Sequence, residues 1–209
     1  MAEFLNKIIP NVMARTDIFW ESFRDTFIMV GWAGGISFLI GIILGITLIV
    51  TRPSGIVPNQ LIYQVIDKIV NFFRSIPFII LLVGLVPLSR AIMGTGIGVK
   101  GAIVPLIFGC APFFTRQMET AMSDVNLGLI EAAQSMGLSN LEIIWSVYLK
   151  ESIAGIARGT TITIISLIGL TAMAGAVGAG GLGNFAIMYG HDRNMPDVTY
   201  TTVVVLVVI

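Results

Sequence analysis

The sequence predicts an all-α polytopic membrane bundle of about five transmembrane helices, and three observations predict it. Of the 209 residues 56% are hydrophobic, 11% are charged, and the mean hydropathy is +0.92; a soluble domain carries roughly 45–50% apolar and about 25% charged residues. Long uncharged runs recur, the longest from Gly159 to Gly190. At roughly 20 residues per helical crossing, the length accommodates about five spans with modest loops and no second folded domain. Twelve Lys and Arg cancel twelve Asp and Glu, so no basic excess exists to neutralise a phosphate backbone, and no nucleic-acid partner is expected. The lone cysteine, Cys110, excludes an intrachain disulfide framework and a cysteine-built structural zinc site.

Residues 1–25 form the first element. From Phe4 to Asp25 the charges Lys7, Arg15, Asp17, Glu21 and Arg24 are mixed with Ile8, Ile9, Phe19, Trp20 and Phe23, the pattern of an amphipathic helix lying in the membrane interface. The spread of charge, with no short apolar core before a small-residue cleavage site, argues against a signal peptide. Residues 26–209 read as one transmembrane domain. Thr26 to Val50 is uncharged for about 25 residues, enough to cross a hydrocarbon core of about 30 Å with some tilt. Gly31 with Gly35, and Gly41 with Gly45, form G-x-x-x-G pairs that let helix backbones approach.

Ser75 to Ser89 and Gly101 to Thr115 are uncharged for only about 15 residues each, so a crossing needs their flanks. Arg74, Arg90, Lys100 and Arg116 bracket them with stems long enough to snorkel toward headgroups, and the helix before Arg74 is expected to start near Leu61. Pro77, Pro87, Pro105 and Pro112 each remove a helical hydrogen bond and are expected to kink these helices near a pathway. In the run from Gly159 to Gly190, a helix is expected to about Ala174 and irregular backbone thereafter, through Gly175, Gly178, Gly180, Gly181 and Gly183. The last run, Val198 to Ile209, is about 12 residues, roughly 18 Å as a helix, so a fifth span is expected to continue past residue 209.

Between Arg116 and Arg158 lies the largest polar segment. Leu127, Ile130, Ala133 and Met136 recur at helical spacing, as do Leu141, Ile144, Val147 and Tyr148, predicting two short amphipathic helices. Gly137 suits the left-handed position after the first, and Ser139-Asn140-Leu141-Glu142 reads as a capping box opening the second. With alternating crossings, six Lys or Arg fall on each side of the membrane, so the positive-inside rule assigns no orientation.

Glu131-Ala132-Ala133, followed by Gly137, Val147 and Leu149, resembles the EAA loop of binding-protein-dependent ABC importer permeases. Asn71-Phe72-Phe73-Arg74-Ser75-Ile76-Pro77, Ala102-Ile103-Val104-Pro105-Leu106, Ala111-Pro112-Phe113 and Ala176-Val177-Gly178-Ala179-Gly180-Gly181-Leu182-Gly183 resemble the methionine-importing members of that family, from Thr26 nearly to the end. The resemblance implies the ABC type-1 importer permease fold in a bacterial inner membrane, five spans per subunit, and a homodimer around a central path. It further implies an external amino terminus and an internal EAA loop. Partners would be two cytosolic ATPase subunits, which hold ATP and magnesium, and an external binding protein delivering methionine or a similar amino acid; no cofactor is expected in this chain. Coupling to the ATPase would fall to Glu131, Ala132, Ala133, Gly137, Leu138 and Ser139, the two alanines allowing close approach to an ATPase groove. The family usually ends this loop in Leu-Pro, whereas this chain has Leu149-Lys150.

Candidate pathway residues are Pro77, Ser166, Met173, Gly178 and Gly180. Each has a plainer reading. The glycines could mark a helix break packed inside the bundle, Met173 could be core filler, and the hydroxyls Thr160, Thr161, Thr163, Ser166 and Thr171 could bond back to their own helix. Two matches to G-x-G-x-x-G, from Gly96 and from Gly178, lack the preceding strand that a dinucleotide site needs. With no phosphate-loop motif, ATP hydrolysis must be supplied in trans. His191 beside Asp192 and Arg193 reads as a solvated loop histidine, without the converging partners of catalysis or metal binding. The rival readings are a permease for another small solute, an ion-coupled secondary transporter, and an intramembrane enzyme. No carboxylate in the uncharged runs favours the second, and no convergent acid or nucleophile favours the third.

Overall fold

The computed structural model describes residues 7–209, and all its regular structure is helical. In chain order the elements are α1 (Pro10–Met13), α2 (Thr16–Thr51), α3 (Gln60–Ser75), α4 (Phe78–Gly84), α5 (Val86–Met93), α6 (Gly98–Ser123) and α7 (Leu127–Ser135). Then come α8 (Asn140–Ile143), a π-helical turn (Ile144–Tyr148), α9 (Leu149–Glu151), α10 (Ile153–Ala176), α11 (Gly181–Phe185), a second π-helical turn (Ala186–His191) and α12 (Pro196–Val208). Three of them, α2, α6 and α10, are long and apolar enough to cross a membrane.

Asp25 and Thr26 lie inside one helix. With 36 residues, α2 is about 54 Å long and exceeds the hydrocarbon core. Residues 4–6 of the expected amphipathic segment lie outside the described residues. In the other direction, the run from Ser75 to Ser89 does not join its amino-terminal flank in one helix. Ile76 is extended (φ −87°, ψ 125°) and Pro77 opens α4, because a residue before proline is pushed out of the helical region. A second break follows at Leu85, with Pro87 in the first turn of α5. Pro105 and Pro112, by contrast, sit within the unbroken α6.

Contacts divide the chain into two units. One comprises residues 1–34, 77–107 and 166–209; the other comprises residues 35–76 and 108–165. In the first, Val12, Phe185 and Val198 form a buried core against Ile18, Phe19 and Tyr189. Asn11 reinforces it, donating to the Asp197 carboxylate from its backbone N–H and from its side-chain amide, each at 2.9 Å.

The second unit has a larger core in which Ile49 and Val50 of α2 meet Phe114, Met118 and Met122 of α6, Ile130 and Ala133 of α7, Ile143 of α8, and Tyr148. Glycine permits this closeness. A Cβ on Gly41 would lie 3.2 Å from the Phe114 Cβ, and one on Gly45 would lie 3.2 Å from the Thr115 carbonyl. Gly155 and Gly159 of α10 play the same part against Ala121 and Gln117, each 2.9 Å from the neighbouring Cβ. Gly31 and Gly35 face no atom of the chain within 4 Å. Arg116 does not snorkel. Its guanidinium pairs with Asp67 and Glu119 and donates to Asn71 at 3.0 Å, since a cation with only 18% of its side chain exposed must be paired rather than left alone.

Candidate functional site

The segment between α6 and α10 is built from local signals. Asn126 caps α7, its side chain accepting from the Gly128 N–H at 2.8 Å. Gly137 adopts φ +78° and ends α7, with the Leu138 N–H donating to the Ala133 carbonyl at 3.2 Å. Ser139 then opens α8. Its hydroxyl accepts from the Glu142 N–H at 3.4 Å, and the Glu142 carboxylate accepts from the Ser139 N–H and hydroxyl, each at 2.7 Å. The bonds from the Ser139 hydroxyl and then from its N–H hold the Glu142 carboxyl below the usual carboxylate range. Both the left-handed glycine and the reciprocal capping box stand where the sequence placed them.

The apolar faces differ from the sequence pattern. Ile130 and Ala133 are buried, but Leu127 is 53% and Met136 72% exposed. A strict three-residue step rotates each position about 60° backward around the helix, so the ends of this series point about 180° apart. Only the middle pair can face the core. In the second helix Ile143 and Tyr148 are buried, while Leu141 (69%) and Trp145 (68%) are exposed. The π-helical turn from Ile144 to Tyr148 adds one residue to the turn, and such bulges re-aim side chains, frequently at functional sites.

Of the six candidate coupling residues, Glu131, Ala132, Gly137 and Ser139 are exposed, Leu138 is half-buried and Ala133 is buried. Ala132 is therefore free for close approach by another molecule, whereas Ala133 touches this chain's own core. Around them Leu127, Met136, Leu141 and Trp145 leave apolar side chains uncovered, the signature of an interaction surface. The helical spacing in the sequence assigns Leu127, Met136 and Leu141 to the buried faces and carries no separate signal for Trp145.

The candidate pathway residues all belong to the first unit. Gly178 (φ +89°) and Gly180 (φ +86°) fall in one backbone turn after α10. No hydrogen bond among the described residues joins that turn to Pro77, Ser166 or Met173. Gly181 is packed tightly, for a Cβ there would lie 2.8 Å from the Met29 Cε and 2.9 Å from the Thr26 hydroxyl. Thr26 also accepts from the Leu182 N–H at 2.9 Å, which satisfies one of the free amides in the first turn of α11; Gly181 and Gly183, expected in irregular backbone, lie in that helix. Thr160, Thr161, Thr163 and Thr171 all donate to carbonyls of α10 itself, at 2.7–3.1 Å. Ser166 makes no such bond among the described residues. Pro77 and Met173 are exposed and Ser166 is half-buried. His191 ends the second π-helical turn rather than lying in a loop, and is exposed.

A sequence profile of the family described as binding-protein-dependent transport system inner membrane component matches residues 37–209. The chain is 45% identical over 146 residues to the D-methionine transport system permease protein MetI of Escherichia coli, a match covering 70% of this chain. The matched region spans 65% of that curated relative's length, just under two thirds. With the probable D-methionine transport system permease protein MetI of Vibrio cholerae, identity is 42% over 204 residues, covering 98% of this chain and 91% of the relative. Among solved structures, a chain of the MetNI methionine ABC transporter in an inward-facing conformation superposes with a TM-score of 0.88 at 44% identity, covering 91% of this chain and 88% of that one. A chain from an amino acid ABC transporter with histidines shares the fold at 16% identity, with a TM-score of 0.77 over 96% of this chain and 91% of that one.

Proposed function

The chain belongs to the family of binding-protein-dependent transport system inner membrane components, multi-pass subunits distinct from the ATPase, and from that premise we propose that it is the permease of an ATP-driven importer of methionine or a closely similar amino acid. Two copies form the central path, two cytosolic ATPase subunits bind ATP with magnesium, and an external binding protein delivers the solute. Each copy crosses five times, through α2, the stretch from α3 to α5, α6, α10 and the helix that starts at Pro196. The amino terminus is outside and the loop of residues 116–158 inside. Residues 1–25 begin at the interface, and residues 26–209 form the permease domain.

One observation carries the reading: a short helix, α7, presents Glu131 and Ala132 outward while Ile130 and Ala133 fix it into the core that holds the ends of α2 and α6. A pull on α7 therefore reaches two spans through packed side chains, which transmit displacement because protein interiors are dense. Closure of the ATPase dimer on ATP drags the two α7 segments together and opens the path outward; hydrolysis resets it. Gly137, Leu138 and Ser139 form the bend that keeps α7 projecting. Pro77, Ser166, Met173, Gly178 and Gly180 line the path, which needs only weak attraction for a solute that the binding protein holds tightly. The chain itself performs no covalent chemistry.

The test is co-purification with the ATPase and binding protein, followed by uptake in proteoliposomes. Methionine accumulation that requires ATP and all three components is the expected result. Accumulation by the chain alone, or of an unrelated solute in preference to methionine, overturns the reading.

A further inference from the structure

Where the polar loop leaves α6 and enters α10, a cleft of about 280 Å³ opens within the second unit, lined by Asp124, Asn126, Leu129, Glu151, Ser152 and Arg158, among others. α6 ends at Ser123 and α10 begins at Ile153, so the lining sits at two span ends that flank one loop and hence meet the same membrane surface.

The charges of this cleft ask for an occupant. Its charges are of both signs, two carboxylates and a guanidinium, yet among the described residues no ion pair within 4.0 Å joins Arg158 to Asp124 or Glu151. Opposite charges that share a cleft without meeting leave a gap that a bridging group can fill. Asp124, Glu151 and Arg158 are all exposed, so their charged ends are open to a molecule entering the cleft. A simple anion would face two carboxylates, and a simple cation would face the guanidinium. A molecule carrying an ammonium a few bonds from an anionic group answers both, with charge-assisted hydrogen bonds at each end.

We propose that this cleft binds such a zwitterion, with a primary ammonium held by Asp124 and Glu151 and its anionic group by Arg158. Two molecules supply this chemistry: the headgroup of phosphatidylethanolamine, and a free amino acid. The position at the span ends, beside an Ile153 that is 64% exposed, suits a headgroup whose acyl chains lie along α10.

Native mass spectrometry of the chain in complex with its ATPase tests this, using phosphatidylethanolamine, phosphatidylcholine and phosphatidylglycerol of identical acyl chains, with calorimetric titration of free methionine alongside. Retention of phosphatidylethanolamine about tenfold tighter than phosphatidylcholine is expected, because trimethylation removes every N–H donor. Glu151→Gln and Arg158→Gln should each weaken that retention about tenfold. Asp124→Asn should weaken it likewise, and it carries the test should either of those variants fail to assemble with the ATPase. Methionine binding lost in Arg158→Gln, without any preference among lipids, assigns the same site to the free amino acid. Equal retention of all three lipids together with no Arg158-dependent methionine binding overturns the proposal, as does phosphatidylethanolamine retention that none of the variants changes.

Discussion

Glu142 shows how much of the loop rests on single side chains. Its carboxylate closes the capping box over Ser139, and the folded-state pKa is lowered by those bonds. Because the folded value is the lower one, the stabilisation is fully present above the unfolded value and is lost as pH falls through the folded one. Protection factors across residues 127–151, the exchange rates referred to the intrinsic rate at each pH, should accordingly fall in the wild type as pH drops below the ordinary glutamate value of about 4.3. In Glu142→Gln that pH dependence should disappear. Tyr148 makes the opposite case. It is 1% exposed, and burial pushes its pKa above the usual tyrosine value against the opposing pull of the Arg52 guanidinium beside it. Tyr148→Phe keeps the ring and removes only the hydroxyl beside Arg52, so thermal stability should change by less than about 1 kcal/mol. Tyr148→Ala empties the core between α7 and the spans and should cost about 3–5 kcal/mol, read from the melting of the purified complex.

At the level of elements, adjacent alanines in α7 separate docking from anchoring. Ala132 is exposed and Ala133 buried. Ala132→Trp should therefore abolish ATPase co-purification with the melting temperature unchanged, while Ala133→Trp should first lower stability by about 1–3 kcal/mol through overpacking. Equal melting of the two variants would remove the distinction. The seams between helices give a second contrast. Gly31→Ala meets nothing within the chain and should gain a few tenths to about 1 kcal/mol from helix propensity, whereas at Gly155 the new Cβ would lie 2.9 Å from the Ala121 Cβ. Gly155→Ala should be the destabilising member of the pair, read from melting of the purified chain. These contrasts mark where the sequence was legible. The glycine turn at Gly137, the box from Ser139 to Glu142 and the end of α10 near Ala176 depend on a few neighbouring residues, and their signals could be read locally. The π-helical turn before Tyr148, the exposure of Met136 and Leu141, and the seam of Gly155 and Gly159 depend on which distant helix packs opposite. No window of sequence contains that partner. Pro77 lies between the two cases: its break is visible as a proline, but the sequence alone points to a kink in one helix instead of the boundary between α3 and α4.

For the molecule as a whole, the placement of charge bears on where the energy for transport enters. The uncharged runs contain no carboxylate, and Asp67 and Glu119, the acidic groups on α3 and α6 that lie near span ends, are both engaged by Arg116. Carboxylates neutralised by a guanidinium that stays protonated throughout the physiological range are poor carriers of a coupling proton or sodium ion. The proposed function has the driving force arrive mechanically instead, through the loop that Ile130 and Ala133 fasten to the ends of α2 and α6. In sealed proteoliposomes containing the full complex, methionine uptake should persist when ionophores collapse the proton and sodium gradients, provided ATP is present on the ATPase side. It should stop when ATP is withheld with both gradients intact. Gly137→Val, which forces a β-branched residue into φ +78°, should cut uptake by distorting the bend after α7, at a backbone cost of about 1–3 kcal/mol, while the chain still inserts in the membrane. Gradient-driven uptake without ATP, unchanged in Gly137→Val, would instead place energy coupling within the spans themselves, leaving the loop as a surface feature with no part in the cycle.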